Sequence, residues 1–217
     1  MGNSAALMEY KIGEHKVTNA SIEDPILDRM LAGEKARVLY TDPPWGDGNM
    51  KYWTTLNKKM TGKVYAPLSY QQLLDRIMDL AKKYVEGHVF VETGRDWEGQ
   101  VRKSMDDAGL RNIRVFHLQY RSGAKILPMI MLYGGTSARF SYDSTKFKPT
   151  TEKGATLVKK CLGVVAEEGQ IVIDPCCGMG YTAKAALHHK MRFRGNEFNT
   201  ARLQDTLDFL RKNTEGA

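Results

Sequence analysis

The chain has 217 residues, which is enough for one domain with a sizeable buried core and too few for two comfortable ones. A hydrophobic content of 42% and a charged content of 26% argue against a disordered chain, and the longest apolar run, eight residues interrupted by a proline, is too short to span a bilayer. The formal net charge of +7 favours a polyanionic partner such as a nucleic acid.

Three cysteines, two of them adjacent, are too few for a disulfide framework or a zinc site. The first residues fit neither a secretory signal nor a myristoylation motif. We therefore expect a protein with reduced thiols in the cytoplasm.

The helices and strands are predicted from hydrophobic periodicity and from turn residues. Residues 1–21 are polar and weakly patterned, which indicates a loose N-terminal arm. Residues 46–68 contain three glycines and a proline and are predicted as a long loop. Ser69 and Gln72 form a capping box that begins the next helix. In chain order the predicted elements are a helix at 25–31, a strand at 37–41, a helix at 69–84, a strand at 88–91, a helix at 96–108, strands at 113–120 and 125–133, a helix at 152–166, a strand at 170–174, a helix at 181–189, a strand at 192–197 and a helix at 200–211.

This alternation of strands and helices implies a mostly parallel sheet that is covered by helices on both faces. The two strands around residues 121–124 are predicted to form an antiparallel hairpin, because that segment is a turn signal. No repeat, low-complexity tract or linker interrupts the chain. We therefore predict a single α/β domain over residues 1–217.

A glycine-rich turn follows one of the predicted buried strands. Asp174 ends the strand, and Gly178 and Gly180 precede the next helix, a pattern that lets the backbone approach a ligand at the carboxyl end of the strand. Glu197 ends the next strand, at a spacing where an acid accepts hydrogen bonds from ribose hydroxyls. The turn lacks the third glycine of the dinucleotide fingerprint and the lysine of a phosphate loop, so it favours a nucleoside-like cofactor without a pyrophosphate. An ordinary tight turn and an exposed glutamate are the alternative interpretation.

Asp42, Pro43, Pro44 and Trp45 follow directly after the first predicted strand. Each proline fixes its own φ angle and lacks an N–H, so the carbonyls of this turn point in set directions. Asp42 and the Pro43 carbonyl can accept the two N–H groups of an exocyclic amine, while Trp45 stacks on the ring that carries it. An ordinary turn with Trp45 in the core is the alternative.

Together these segments resemble a known family. Residues 42–45 are similar to the catalytic motif of amino-directed DNA methyltransferases, and residues 174–180 are similar to the motif with which those enzymes bind S-adenosylmethionine. Residues 195–199 resemble their ribose-binding motif, and Lys148 and Pro149 resemble the segment that precedes the cofactor motif. The catalytic motif comes first along the chain, which is the permuted order of the β class.

The resemblance implies a Rossmann-like fold, S-adenosylmethionine as the cofactor, and methylation of the N6 amine of adenine in a base flipped out of DNA. It assigns catalysis to Asp42, Pro43, Pro44 and Trp45. It assigns cofactor binding to Asp174, Pro175, Cys176, Gly178, Gly180, Glu197, Asn199, Lys148 and Pro149. Cys176 departs from the family, which usually has Phe at that position.

The space between the two motifs leaves no room for a large target-recognition domain. The resemblance therefore implies a low or short sequence specificity, or one supplied by a second copy in a homodimer. An RNA N6-adenine methyltransferase, a DNA N4-cytosine methyltransferase and a non-catalytic nucleic-acid-binding subunit stay open as alternatives. Neither a metal nor a membrane is expected as a partner.

Basic and aromatic side chains follow the Asp-Pro-Pro-Trp segment. Residues 46–66 hold four lysines against one aspartate, and residues 139–160 hold six basic residues against two acids. Basic side chains interleaved with aromatic ones suit contact with phosphates and stacking on bases, whereas a solvated loop is the alternative. The predicted nucleic-acid-binding residues are Lys51, Tyr52, Trp53, Lys58, Lys59, Lys63 and Arg139.

Overall fold

The computed structural model describes residues 8–61, 68–122 and 124–214. The strands in these ranges are β1 (Met8–Ile12), β2 (His15–Asn19), β3 (Ala36–Thr41), β4 (Val85–Gly94), β5 (Arg111–Ser122), β6 (Lys125–Gly135), β7 (Ile171–Asp174) and β8 (Arg192–Asn196). The α-helices are α1 (Ile26–Leu31), α2 (Gly46–Thr61), α3 (Tyr70–Tyr84), α4 (Glu98–Asp107), α5 (Gly154–Val165), α6 (Tyr181–His188) and α7 (Thr200–Thr214).

All eight strands form one sheet in the order β1-β2-β8-β7-β3-β4-β6-β5. The five strands from β2 to β4 in that order run parallel to their neighbours, while β1 at one edge and the β5–β6 hairpin at the other are antiparallel. The prediction of a mostly parallel α/β sheet with an antiparallel hairpin is therefore confirmed.

Helices cover both faces of this sheet, and the central strands are buried on both sides. Along β3, Val38 and Tyr40 pack on the face under α5, α6 and α7, whereas Leu39 packs on the face under α1, α3 and α4. A strand that is buried on both faces is mostly apolar, which is why β3 could be predicted from the apolar residues 38–40. The Ser69 capping box is also confirmed, with hydrogen bonds of 3.2 Å and 2.9 Å between Ser69 and Gln72.

The prediction of a loose arm over residues 1–21 is wrong for the described part, because β1 and β2 form a hairpin in the sheet. β2 pairs in parallel with β8, and Val17 is fully buried. β1 is mostly exposed, and the buried residues of β2 include the polar His15, Thr18 and Asn19, so the sequence of this hairpin resembles a polar arm. Residues 1–7 lie outside the described residues.

The prediction of a loop over residues 46–68 is also wrong for residues 46–61, which form α2. Its glycines lie in the first turn, and the Trp53 indole N–H donates to Asn49 Oδ1 at 3.0 Å, a contact between residues four apart that supports a helix. The Asp47 carboxylate accepts the Tyr70 backbone N–H at 2.7 Å and ties α2 to the start of α3. Residues 62–67 lie outside the described residues. No helix among the described residues is long and apolar enough to cross a membrane.

Candidate active site

The Asp-Pro-Pro-Trp turn (residues 42–45) leaves the carboxyl end of β3 at the centre of the sheet. The Trp45 indole N–H donates to Asp42 Oδ1 at 3.0 Å, and the Trp45 backbone N–H donates to Asn49 Oδ1 at 3.2 Å. The indole is half-buried rather than enclosed in the core. The turn therefore presents a carboxylate and an aromatic ring that are locked to each other and reachable from outside.

A cavity of about 310 Å³ opens at the carboxyl ends of three adjacent parallel strands. It is lined by Asp42 after β3, by Pro175 and Cys176 after β7, and by Glu197 and Asn199 after β8. The chain runs from β3 to β4 on one side of this point and from β7 to β8 on the other, so the strand order reverses here. In open α/β sheets, ligands bind outside the carboxyl ends of the strands at such a switch point.

Asp42 is exposed in this cavity, yet protein surrounds the cavity on most sides. Desolvation raises the pKa of its carboxyl, whereas the hydrogen bond from Trp45 and the positive charge of Arg202 lower it. The neighbouring strand contributes a second acid, because Glu92 on β4 is 5% exposed and accepts the Tyr40 hydroxyl at 2.8 Å. Burial, followed by the charge of Asp42, raises the pKa of Glu92 well above its ordinary value. Two acids of raised pKa therefore lie side by side at this edge.

The glycine turn (residues 174–180) begins with a buried acid. Asp174 is 4% exposed and accepts the Cys176 backbone N–H at 3.1 Å and the Thr182 hydroxyl at 2.6 Å. Desolvation raises its pKa to about 7 against these hydrogen bonds. Asp174 thus joins the start of the turn to the first turn of α6 and does not line the cavity. Gly178 and Gly180 have φ angles of +51° and +77°, which favour glycine.

Glu197 is half-buried, and both of its carboxylate oxygens hold backbone groups of the site. Oε2 accepts the Gly178 N–H at 2.8 Å, and Oε1 accepts the Asn199 N–H at 2.7 Å. Desolvation raises the pKa of Glu197, while these N–H groups and Arg202 oppose that change. Each carboxylate oxygen has a second lone pair, so the group can still accept from a ligand in the cavity.

The N-terminal hairpin, β1 and β2, holds the backbone of Glu197 in place. The Glu197 backbone N–H donates to the Thr18 carbonyl at 3.1 Å, and the Asn19 side chain donates to the Glu197 carbonyl at 2.7 Å. Thr18 also donates to the Asn196 side chain at 2.8 Å. Because β2 supplies these contacts, the segment that was expected to be a loose arm is part of the scaffold of the site.

The structure brings together most, but not all, of the predicted cofactor residues. Pro175, Cys176, Glu197 and Asn199 line the cavity, and Gly178 is bonded to Glu197. Lys148 is exposed and Pro149 is buried, and neither lines the cavity. The following residue, Thr150, accepts the backbone N–H of Gln119 on β5, so this segment runs along the far edge of the sheet.

The predicted nucleic-acid contacts separate into three groups. Lys51, Tyr52, Lys58 and Lys59 are exposed on α2, the helix whose residues 49–54 include four that line the cavity, and Tyr52 is 59% exposed. Trp53 is half-buried and lines the cavity, and the Arg202 guanidinium lies over its ring. Arg139 lies near Arg37 and His88, at the opposite end of the parallel strands from residues 42–45. Lys63 lies outside the described residues.

Sequence reasoning missed several residues that line or support the site. Asn49 joins the Asp-Pro-Pro-Trp turn to α2, and Arg202 on α7 lines the cavity beside Trp53. Glu92 follows directly after the apolar residues 89–91 of β4. An acid at the end of a predicted strand is the one sequence signal that could have indicated this residue. Burying a charged group is costly unless it has a partner or a function.

One family model matches this chain: residues 134–207 match the family described as DNA methylase. The matched segment contains both the glycine turn and Glu197. The resemblance to amino-directed DNA methyltransferases is confirmed. No curated protein sequence matches the chain.

Solved structures show the same architecture over nearly the whole chain. The M1.HpyAVI–SAM complex is 15% identical, covers 91% of this chain and 98% of its own, and has a TM-score of 0.65. A putative DNA modification methylase from Thermus thermophilus, complexed with S-adenosyl-L-methionine, is 15% identical with a TM-score of 0.58 and coverages of 88% and 92%. The PvuII DNA methyltransferase, described as cytosine-N4-specific, is 12% identical with a TM-score of 0.67 and coverages of 93% and 87%. The Rossmann-like methyltransferase fold is therefore confirmed.

Proposed function

We propose that the protein transfers a methyl group from S-adenosylmethionine to the exocyclic N6 amine of adenine in DNA. One observation carries the proposal: a single cavity joins the Asp-Pro-Pro-Trp turn to Glu197 and the start of the glycine turn. A methyl donor and an amine must meet for the transfer, and this cavity holds a candidate residue for each. The match to the DNA methylase family and the cofactor complexes among the similar structures support the same activity.

The residues present fit a nucleoside cofactor. Glu197 would accept the ribose hydroxyls, because its carboxylate faces the cavity and is fixed by the Gly178 and Asn199 N–H groups. Gly178 leaves room for Arg202 beside the turn, because an added Cβ atom would meet the Arg202 side chain. When bound, S-adenosylmethionine supplies a methyl group that is already activated by its positively charged sulfur. The protein's task is then mainly to position and desolvate the reactants.

Asp42 would act on the amine of the target base. Its carboxylate and the Pro43 carbonyl accept the two N–H groups, which favours the nucleophilic form of the nitrogen as positive charge develops. Trp45, tied to Asp42 by a 3.0 Å hydrogen bond, would stack on the purine. The methylated nitrogen is strongly acidic, so no base of neutral pKa is required, and the histidines need no role.

The target base of DNA must reach the Asp-Pro-Pro-Trp turn. A base inside a duplex cannot enter a cavity at the edge of a sheet, so the target nucleotide is flipped out. The exposed lysines lie on α2, the helix that also lines the cavity, and suit contact with the phosphates. We further propose that residues 1–217 act as one methyltransferase domain without a separate target-recognition domain, so that the recognised sequence is short.

Methyl transfer with labelled S-adenosylmethionine tests the proposal. Purified protein is incubated with DNA and, separately, with RNA, and the products are digested to nucleosides for mass spectrometry. N6-methyladenine from DNA is expected, and Asp42→Ala should abolish it while leaving cofactor binding by calorimetry nearly intact. Asp106→Ala, an exposed acid on α4, is the matched control and should keep full activity.

Other products would contradict the proposal in distinct ways. N4-methylcytosine would make the protein a cytosine enzyme, as the PvuII structure is described. Product from RNA alone would change the substrate class. Cofactor binding without any product would favour a non-catalytic subunit, and normal turnover by Asp42→Ala would remove Asp42 from catalysis.

A further inference from the structure

Arg202 lies inside the candidate site without an assigned role. It belongs to the first turn of α7, which is fixed because the Asn199 side chain accepts the Arg202 backbone N–H at 3.0 Å. Its guanidinium lies 4.5 Å from the centre of the Trp53 ring, and both side chains line the cavity. Stacking on an indole holds the plane of the guanidinium. The side chain is therefore positioned rather than mobile.

The same guanidinium lies against the glycine turn. A Cβ atom added to Gly178 would come within 2.6 Å of an Arg202 Nη atom. Trp53, whose ring contacts the guanidinium, donates its indole N–H to Asn49, and Asn49 also accepts the Trp45 backbone N–H. A continuous set of contacts thus leads from Arg202 to the Asp-Pro-Pro-Trp turn.

The positive charge of Arg202 is not paired directly with an acid in the described part of the chain. Among the described residues that line the cavity, Arg202 is the only basic one, and Asp42 and Glu197 are the only acids. Its charge lowers the pKa of both carboxyls, yet it forms no ion pair within 4 Å with any described residue. Its Nε atom is buried and has no hydrogen-bond partner in the described part of the chain. A buried donor of this kind is costly unless a ligand satisfies it.

We infer that Arg202 binds an oxyanion in this cavity. The planar guanidinium matches a carboxylate or a phosphate, which it can hold with two parallel hydrogen bonds. The inference rests on the proposed function, which brings two such groups here: the carboxylate of the cofactor's amino-acid end and the phosphate of the flipped nucleotide. Any oxyanion that enters the cavity has Arg202 as its one cationic partner among the described lining residues.

Calorimetry with two probes tests this inference without relying on turnover. S-adenosylhomocysteine carries the carboxylate, whereas 5′-methylthioadenosine has the same nucleoside and lacks the amino-acid end. Arg202→Gln should weaken S-adenosylhomocysteine binding by about 10- to 100-fold, as expected for lost hydrogen bonds between charged groups, and leave 5′-methylthioadenosine unchanged. Arg202→Lys keeps the charge and should lose less. Arg211→Gln, on the same helix and with an exposed ion pair to Asp208, is the matched control.

A DNA-binding titration provides the second arm. If Arg202→Gln leaves both nucleoside probes unchanged but weakens DNA binding and lowers its salt dependence, the oxyanion is the nucleotide phosphate. If neither S-adenosylhomocysteine nor DNA binding changes relative to Arg211→Gln, the inference is overturned. Unchanged binding of 5′-methylthioadenosine shows that the variant is folded. Failure of the wild-type protein to bind either nucleoside would instead contradict the proposed function.

Discussion

Asp174→Asn should stabilise the protein at neutral and alkaline pH. Asp174 is buried, and burial raises its pKa from 3.8 in the unfolded chain to about 7 in the folded one. Between pH 3.8 and about 7, the folded protein holds a proton on Asp174 that the unfolded chain has lost. The free energy of unfolding of the wild type therefore falls as pH rises. Asparagine does not titrate, and its side-chain oxygen can still accept the Cys176 N–H. The Thr182 hydroxyl can accept a hydrogen bond from the new amide N–H.

The size of the effect follows from the interval between the two pKa values. Each pH unit in that window changes the free energy of unfolding by up to about 1.4 kcal/mol for one proton. Between pH 3.8 and about 7, the free energy of unfolding of the wild type falls by about 4 kcal/mol in total from this one group. The variant should therefore match the wild type near pH 4 and exceed it increasingly up to pH 7, with a constant difference above that.

Urea unfolding of both proteins at pH 4.5, 6 and 8, followed by circular dichroism, measures this difference. Asp208→Asn, an exposed acid on α7, is the control and should give a difference that does not depend on pH. A parallel shift of Asp174→Asn at every pH, or a gain that shrinks as pH rises, would refute the reasoning.

Three further outcomes are expected from the geometry of the site. Glu197→Ala should weaken cofactor binding by about 10- to 100-fold in calorimetry because it removes charged hydrogen bonds, and an unchanged titration would exclude it from the cofactor site. Gly180→Ala should destabilise the fold by about 1–3 kcal/mol in thermal unfolding, because the residue has a φ of +77° and a Cβ would come within 2.8 Å of Thr206, whereas Gly48→Ala, with no atom in contact, should cost nothing. DNA binding should weaken steeply as salt rises, and a flat response would indicate a small-molecule substrate.

Local patterns explain which parts of the fold could be predicted. Strands buried on both faces, such as β3 and β7, form apolar runs that need no tertiary information, and the residues that follow them mark the edge where the site lies. The Ser69 capping box is equally local. These signals were sufficient to predict both turns and Glu197 as parts of one site.

The elements that were missed depend on contacts between distant residues. The polar strands β1 and β2 are held by pairing with β8, and α2 is held by Asp47 and by Asn49 despite its early glycines. Arg202 lies on a helix with the sequence pattern of an ordinary surface helix. Its contacts with Trp53 on α2 and with the glycine turn form only when the chain folds. The order of residues along the chain does not show which distant residues come into contact.

The pairing of β2 with β8 has a consequence for biosynthesis. Thr18 and Asn196 are 178 positions apart, so their hydrogen bond cannot form until residue 196 has left the ribosome. Contacts of such long range carry a large loop-closure entropy and slow folding. The acid proposed to hold the ribose therefore gains its contacts with β2 long after residues 42–45 have been synthesised, and a nascent chain that displays only that turn has no complete donor pocket.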